Sequence, residues 1–452
     1  MREIVSIHIG QAGVQLGNLC WELYCLEHDL DEAGRLLKPE SSTMKNPDIS
    51  SMIGDSNGIP EGFSSFFCET FSGNYCPRAL FIDMDPTVID EIRTGKYKDL
   101  HSFNNLISGK EDAANNYARG HNTSGKAIFT QSADTSSKMV EACDHLQGFM
   151  ITHSLGGGTG SGFYSRLTEY LAEEFPKISK MEIVVFPCPK LSTAVVEPYN
   201  AVLATSETLE TTDCVFLVNN EALYSICHKK LDIDSPSYSN LNRILAQAVS
   251  SITTSIRFRG SLNADFMDFQ TNLVPYPRIH FPLMSFSPIV RRESASHEIF
   301  SILDITSKCL DKSNFMMQCD ENIGRYMSCC LLYRGDVAPK EVNSAIAAIR
   351  LKKSMKFVNW SPTGFKIGIN DSPPMMVPDG DLASTQRSMC MLCNTTAVQD
   401  AWTKLNVKFH VMLEKRAFLH WYLQDGLQES DFYDAQDNLL TLEQEYELMD
   451  VD

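Results

Sequence analysis

The sequence predicts an α/β protein: a parallel sheet covered on both faces over residues 1–219, an α+β segment over 220–395, and a helical carboxyl-terminal part over 396–452. Three observations carry this. Strand-like apolar runs alternate with helix-compatible ones through the first 219 residues, the pattern of parallel sheets with crossover helices. Small, amide and carboxylate residues follow those runs, at the strand ends where open α/β sheets hold ligands. Between an apolar run and a helical one, Gly156–Gly162 packs five glycines into seven residues. That density suits close approach to a ligand, because glycine accepts positive φ and a strand-to-helix turn aims several N–H groups at one point.

The strands predicted for the sheet are Glu3–Ile9, Ala79–Asp83, Gly148–His153, Met181–Pro187 and Asp213–Val218. Gly10-Gln11-Ala12-Gly13 follows the first, Asp83-Met84-Asp85-Pro86-Thr87 the second, Ser154 and the glycine loop the third, and Pro189 to Glu197 the fourth. A flexible linker is the competing reading of the loop, but Phe149-Met150-Ile151 and Leu167–Leu171 frame it as linkers are not normally framed. From Asn220 to about Arg259 the chain reads as helical, with Leu241, Ile244, Leu245, Ala248, Val249 and Ile252 at helix-face spacing. Residues 260–395 mix short strands and helices around Pro275, Pro277, Pro282 and Pro288, and from Thr396 onward the pattern is helical, ending near Gln428–Leu448. Residues 31–62 lack periodicity and read as an exposed loop.

Composition narrows the class. At 452 residues, 43% hydrophobic and 21% charged, the chain reads as an ordinary globular protein of two or three domains. No stretch approaches the roughly 20 apolar residues of a membrane span. The amino terminus alternates like a strand and is not a signal peptide, so no membrane partner is expected. The net charge of −18 argues against nucleic acid and favours basic partners. From Ala417 to Asp452 there is no Lys or Arg and ten carboxylates, either a solvated face or a docking surface for cationic partners. Fourteen cysteines without secretory signals indicate reduced thiols. Cys390 and Cys393 stand in an apolar strand-like run with no second pair of that spacing, and read as packing.

Neither common nucleotide fingerprint fits. A dinucleotide loop would need glycine where Ser161 or Phe163 stands, and Gly120–Ala127 imitates a P-loop but lacks both the Ser/Thr after Lys126 and a preceding strand. The missing fingerprint also argues against a nucleotide-dependent oxidoreductase.

Gly157-Gly158-Thr159-Gly160-Ser161-Gly162 instead resembles the signature loop of the tubulin family. Gly10–Gly13, Gly109–Gly120, Thr193–Asn200 and Phe269–Arg278 are also similar to tubulin segments, so the resemblance runs over nearly the whole chain. Trp21–His28 and the loop from Thr363 through Pro373, Pro374, Pro378 and Asp381 look like α-tubulin rather than β. In α that loop fills the pocket that binds taxanes in β.

The resemblance implies a Rossmann-like GTP-binding domain with GTP and Mg2+, an intermediate domain and carboxyl-terminal helices. Gln11 would contact phosphate and metal. Ser154, Gly157, Gly158 and Thr159 would hold the phosphates, with Ala113, Ala114 and Asn115 on the γ-phosphate side. Thr193 and Glu197 would face the ribose, Asn220 and Asn242 would read guanine, and Tyr238 would stack on it, a fit to two amides and an aromatic face. Asp85 stands where the family usually places a magnesium-associated glutamate; its alternative is a helix cap before Pro86. Asp268 stands where α-tubulins place the glutamate that activates water against the GTP of the next β-subunit, and its shorter reach implies slow hydrolysis.

The same resemblance implies a cytoplasmic, cytoskeletal subunit that pairs with β-tubulin, has α-tubulin lateral neighbours, enters microtubules, and meets motors and microtubule-associated proteins through its acidic carboxyl end. A GTP-binding regulatory relative that pairs with β-tubulin but caps filaments or polymerises poorly is the alternative. The polar segment Ser124–Cys143 and Asp268 keep it open. Ser124–Cys143 is polar where relatives have an apolar-periodic helix, which predicts a weakened helix. Residues 31–62 do not reproduce the segment around the family's acetylated lysine, leaving Lys38 and Lys45 unassigned. The carboxyl end has no glutamate-rich tail or final tyrosine, so the usual tail modifications are not expected.

Overall fold

The computed structural model describes residues 2–37, 62–188, 191–293, 300–319, 324–352, 355–378 and 380–450. Lys38 and Lys45 lie outside them. The strands are β1 (Glu3–Ile9), β2 (Phe67–Glu69), β3 (Tyr75–Pro77), β4 (Ala79–Asp83), β5 (Leu106–Ser108), β6 (Leu146–Ser154), β7 (Ser179–Phe186), β8 (Cys214–Asn219), β9 (Leu283–Ser287), β10 (Tyr326–Gly335), β11 (Lys366–Asn370) and β12 (Arg387–Thr395). The helices are α1 (Gly10–Glu27), α2 (Pro86–Thr94), α3 (Ser124–Glu141), α4 (Tyr164–Glu174), α5 (Glu197–Thr211), α6 (Asn220–Lys230), α7 (Tyr238–Arg257), α8 (Phe266–Leu273), α9 (Ile302–Cys309), α10 (Pro339–Lys352), α11 (Gln399–Glu414), α12 (Leu419–Gln424) and α13 (Glu429–Asp450).

Six strands form the expected parallel sheet in the order β5-β4-β1-β6-β7-β8. Every residue of β1, β4 and β8 is buried, the polar Glu3, Ser6 and His8 of β1 included, as in strands covered on both faces. The chain passes from β1 to β4 and β5 on one side, then to β6, β7 and β8 on the other. The gap between the ends of β1 and β6 is therefore a topological switch point, the usual ligand crevice of such sheets. A mixed sheet, β11-β10-β12-β9, continues beyond β8 through the single register pair Leu217–Leu283.

Helix α1 sits on β6 because two glycines let it. A Cβ at Gly13 would lie 2.2 Å from the Thr152 carbonyl oxygen, and one at Gly17 would lie 2.5 Å from the His8 ring. On its other side α1 packs against α7, where Trp21, Tyr24, Leu241, Leu245 and Val249 share one core. Buried charges tie α1, α7 and β10 together: Glu27 accepts from Arg257 at 2.5 Å and from the Ser250 hydroxyl, and forms an ion pair with Arg334 at 2.7 Å. Burial pushes the Glu27 carboxyl up, but the two guanidiniums outweigh it and hold it near 2. In the carboxyl-terminal part, α11, α12 and α13 close around the Tyr199 ring of α5 through Phe409, Tyr422 and Phe432.

The polar segment after Ser124 forms a regular 18-residue helix, α3. Its buried Ser132 and Ser136 hydroxyls donate to the carbonyls four residues back, at 2.9 and 2.8 Å, so they enter the interior without an unpaired donor. Cys390 and Cys393 are fully buried in β12, as packing residues.

Candidate functional site

The site begins where β1 and β6 end. Gly10 has φ +71°, and a Cβ there would lie 3.1 Å from Gly160 N, so the first turn of α1 and the glycine loop touch backbone to backbone. The α1 amino terminus has neither a side-chain cap nor an acidic first turn. Its uncapped N–H groups and the exposed Gln11 side chain face the same crevice as the loop, which suits an anion. The loop turns into a π-helical turn at Thr159–Phe163, also without a side-chain cap. Ser161 closes it by donating to Gly157 O at 2.5 Å. Ser154 Oγ lies where it would touch a Cβ on Gly157 or Gly160, at 3.6 and 3.0 Å.

A second loop completes the cradle. Ala114 and Asn115 are exposed with φ of 49° and 56°, a left-handed pair between β5 and α3. Ala113 is fully buried and its methyl packs against Gly158, so only its backbone is left to face a ligand. The glycines of the rejected P-loop imitation serve packing: a Cβ on Gly120 would lie 2.2 Å from Gly158 O.

Asn200 joins the two loops, a role its place in the Thr193–Asn200 segment does not announce. It is fully buried on α5; its Nδ2 donates to Asn115 O at 2.7 Å and Gly156 O at 2.8 Å. Its Oδ1 accepts from Tyr117 N at 3.0 Å and from the Tyr422 hydroxyl at 2.7 Å. Asn116 adds a bond to Asp425 Oδ2 at 2.8 Å, so α12 braces the cradle from behind. These partners lie more than 200 residues apart in the chain, and no local pattern signals them.

The side walls come from β7 and β8. Glu197 Oε1 accepts from Thr193 N and Thr193 Oγ1, both at 2.9 Å, and from Ala194 N at 3.2 Å. One carboxylate oxygen of a predicted ribose contact is thus committed to shaping its own loop. Asn220 opens α6 and Asn242 lies one turn into α7; neither side-chain amide makes a hydrogen bond among the described residues. Tyr238 is half exposed at the start of α7.

Two aspartates end β4. Asp85 caps α2, its Oδ1 accepting from Thr87 N at 2.9 Å, so the cap reading holds for that oxygen. Asp83, to which the sequence reading gave no role, is buried, and its Oδ2 has no partner. Burial drives its pKa up to about 7; the Met84 and Asp85 N–H groups and the Thr159 side chain pull only partly against it. An unpaired buried oxygen beside the phosphate loop fits a cation. No cluster of three or more His, Cys, Asp or Glu side chains forms a metal cage among the described residues.

Asp268 is not in this crevice. It lies in the first turn of α8, which packs under the opposite ends of the strands: Arg2 pairs with Asp265, Gln270 bonds Asp213 ahead of β8 at 2.9 Å, and Phe266 abuts Gly148. The six steps of β1, at about 3.3 Å each, set the two rims of the sheet roughly 20 Å apart. Asp268 accepts from Asp265 N at 3.1 Å and pairs with Lys366 at 3.1 Å. Burial pushes its carboxyl up, yet the Asp265 N–H and the Lys366 ammonium prevail and hold it below the ordinary value.

A crevice lined by glycine backbone at the switch point of a parallel sheet is the usual ligand site of a nucleotide-binding α/β protein. Family comparison agrees: the Tubulin/FtsZ family, GTPase domain, matches residues 3–228, and the Tubulin C-terminal domain matches residues 277–407. The chain belongs to the Tubulin/FtsZ family; it is a tubulin-like GTP-binding protein whose amino-terminal half is a GTPase domain. No helix among the described residues is long and apolar enough to cross a membrane.

Proposed function

We propose that this chain is an α-type tubulin subunit that keeps a GTP with Mg2+ in its own cradle, pairs with β-tubulin, and offers Asp268 to the GTP of the next β-subunit in a microtubule. The observation that carries the reading is the placement of the two sites on opposite rims of one sheet. Stacked head to tail, such subunits bring the α8 rim of one against the nucleotide rim of the next, the heterologous contact that generates filaments. The α assignment is supported by the loop after β11. Met375 and Met376 pack into the α1–α7 core, and Gln247 donates to Met375 O at 2.8 Å.

Gln11 and Asp83 would hold the metal side, Ser154 to Thr159 the phosphates, and Asn220, Asn242 and Tyr238 the base. Bound Mg2+ neutralises phosphate charge. Asp268 would accept a proton from the water that attacks the neighbouring γ-phosphate. Its carboxylate form is secured by Lys366, but its reach is one methylene short, so turnover in the polymer is slow.

The test is co-expression with β-tubulin, identification of the nucleotide released on denaturation, and sedimentation of polymers. GTP in the heterodimer and pelleting with β-tubulin are expected. A heterodimer that retains GTP but never pellets overturns the polymer subunit in favour of the regulatory relative, and loss of GTP overturns the site.

A further inference from the structure

Ten of the fourteen cysteines are buried, and three of the four half-buried ones gather at one place. In the β2–β3 hairpin, Cys68 stands directly opposite Cys76. Backbone bonds from Arg78 N to Phe66 O and from Thr70 N to Asn74 O flank that pair by two residues on either side. By this alternation Cys68 and Cys76 are a hydrogen-bonded antiparallel pair, which sets Cα atoms about 5.5 Å apart and both side chains on one face. A disulfide spans Cα atoms about 4.4–6.8 Å apart and Cβ atoms about 3.5–4.5 Å apart, so this pair meets the first condition and the hairpin must draw its side chains together to meet the second. The Cys68 thiol donates to Cys76 O at 3.4 Å, and the two thiols act on each other. Behind them the Arg78 guanidinium reaches Cys143 Sγ at 3.4 Å and Glu3 Oε1 at 2.6 Å, placing a fixed positive charge beside the sulfurs.

We propose that Cys68 and Cys76 form a reversible thiol–disulfide modification site that cross-links this hairpin, with a low-molecular-weight disulfide of the glutathione class as oxidant. The Cys68 thiolate attacks one sulfur of that disulfide, forming a mixed disulfide and releasing one small thiol. Cys76 gives up its proton, its sulfur attacks Cys68 Sγ, and the second small thiol leaves. Two protein thiols and one small disulfide become one protein disulfide and two small thiols, so electrons balance.

The order of attack follows from the surroundings. The hydrogen bond from Cys76 is the largest influence on Cys68 and, with Arg78 and against burial, brings its thiol down to about 6; the same contact and burial push Cys76 far up. The sulfurs are not a metal site, since no cluster of three ligating side chains occurs among the described residues. The hairpin carries a fully exposed Phe71 near its tip and is anchored through Arg78 to Glu3 at the start of β1, so a cross-link stiffens a segment remote from the GTP cradle.

The test equilibrates the purified full-length chain in glutathione buffers of rising oxidised fraction, blocks free thiols, and maps disulfides by peptide mass spectrometry. A Cys68–Cys76 linkage that dithiothreitol reverses, with bound GTP unchanged, is expected. Cys76→Ser should stop at a mixed disulfide on Cys68, whereas Cys68→Ser should lose both products. On the unmodified protein, Cys68 should alkylate on the order of tenfold faster than Cys319 at pH 6 and level off by pH 7, since its larger thiolate fraction outweighs its lower nucleophilicity. No Cys68–Cys76 linkage at the most oxidising ratio, a Cys68–Cys143 linkage in its place, or Cys68 reacting no faster than Cys319 would overturn the proposal.

Discussion

The two rims of the parallel sheet are built from different material. At the carboxyl rim, backbone makes the site: Gly10, Gly13, Gly120, Gly158 and Gly160 stand where a Cβ would meet main chain or buried neighbours at 3.1 Å or less. At the amino rim, side chains make it, through Arg2, Asp213, Asp265, Asp268, Gln270 and Lys366. A backbone cradle cannot change by one methylene without moving strands. A side-chain position can, and the one-methylene changes that the tubulin resemblance implies fall in side chains on both rims, Asp85 on the carboxyl rim and Asp268 on the amino rim. On the proposed reading, GTP binding rests on backbone that admits no added Cβ, and turnover on a side chain that can change.

The sharpest way to break that contrast is Gly13→Ala. The new methyl would sit 2.2 Å from the Thr152 carbonyl oxygen and 3.0 Å from its carbon, so α1 must lift from β6 and carry Gly10 and Gln11 out of the crevice. A loss of at least about 3 kcal/mol in stability and loss of co-purified GTP are expected. Gly73→Ala is the control: nothing lies within 4 Å, its φ of +78° costs about 1 kcal/mol, and GTP stays bound. Equal GTP content in the two variants would refute a backbone-built cradle.

Next in size is Asn200→Ala, which strips partners from Asn115 O, Gly156 O, Tyr117 N and the Tyr422 hydroxyl at once. With unpaired buried groups costing about 1–3 kcal/mol each, and some relief from water, GTP affinity should fall on the order of 100-fold by calorimetry. A variant that melts earlier yet binds GTP as before would make Asn200 structural only. On the other rim, Asp268→Glu should leave GTP content unchanged and speed phosphate release from co-polymers with β-tubulin by roughly tenfold or more. Equal release rates would show that the shorter side chain is not the limit.

The rims also differ in how far the sequence discloses them. Alternation in β1 and apolar content in β4 make those two strands legible to the residue, and β6, β7 and β8 to within two. The three-residue β2, β3 and β5 are too short to show a period. In α3 the polar pattern hides how the helix buries its polar face, because hydrophobic periodicity ignores hydroxyls that bond back to their own helix. Among site residues, the glycine loop is legible because glycine is a local demand. Asn200 is not, since its value lies in Tyr422 and Asn115, far along the chain. Asp83 is hidden as the last residue of an apolar strand, where only burial reveals that one of its oxygens is unpaired.

That oxygen supplies the smallest and most specific test of the carboxyl rim. Burial raises the Asp83 carboxyl to about 7 in the folded protein, whereas an unfolded chain ionises it near pH 4. Between those values the folded state holds a proton that the unfolded state has lost. The group's contribution to stability therefore falls as pH rises through that window and is level above about 7. Asp83→Asn should remove this slope in nucleotide-free protein. Binding of GTP with Mg2+ should show the opposite trend, because a cation at Asp83 needs the carboxylate. Affinity should climb by no more than tenfold per pH unit, level off above about 7, and lose the slope attributable to this group in Asp83→Asn. An unchanged pH profile in that variant would assign the metal side of the cradle to Asp85 and Gln11 instead.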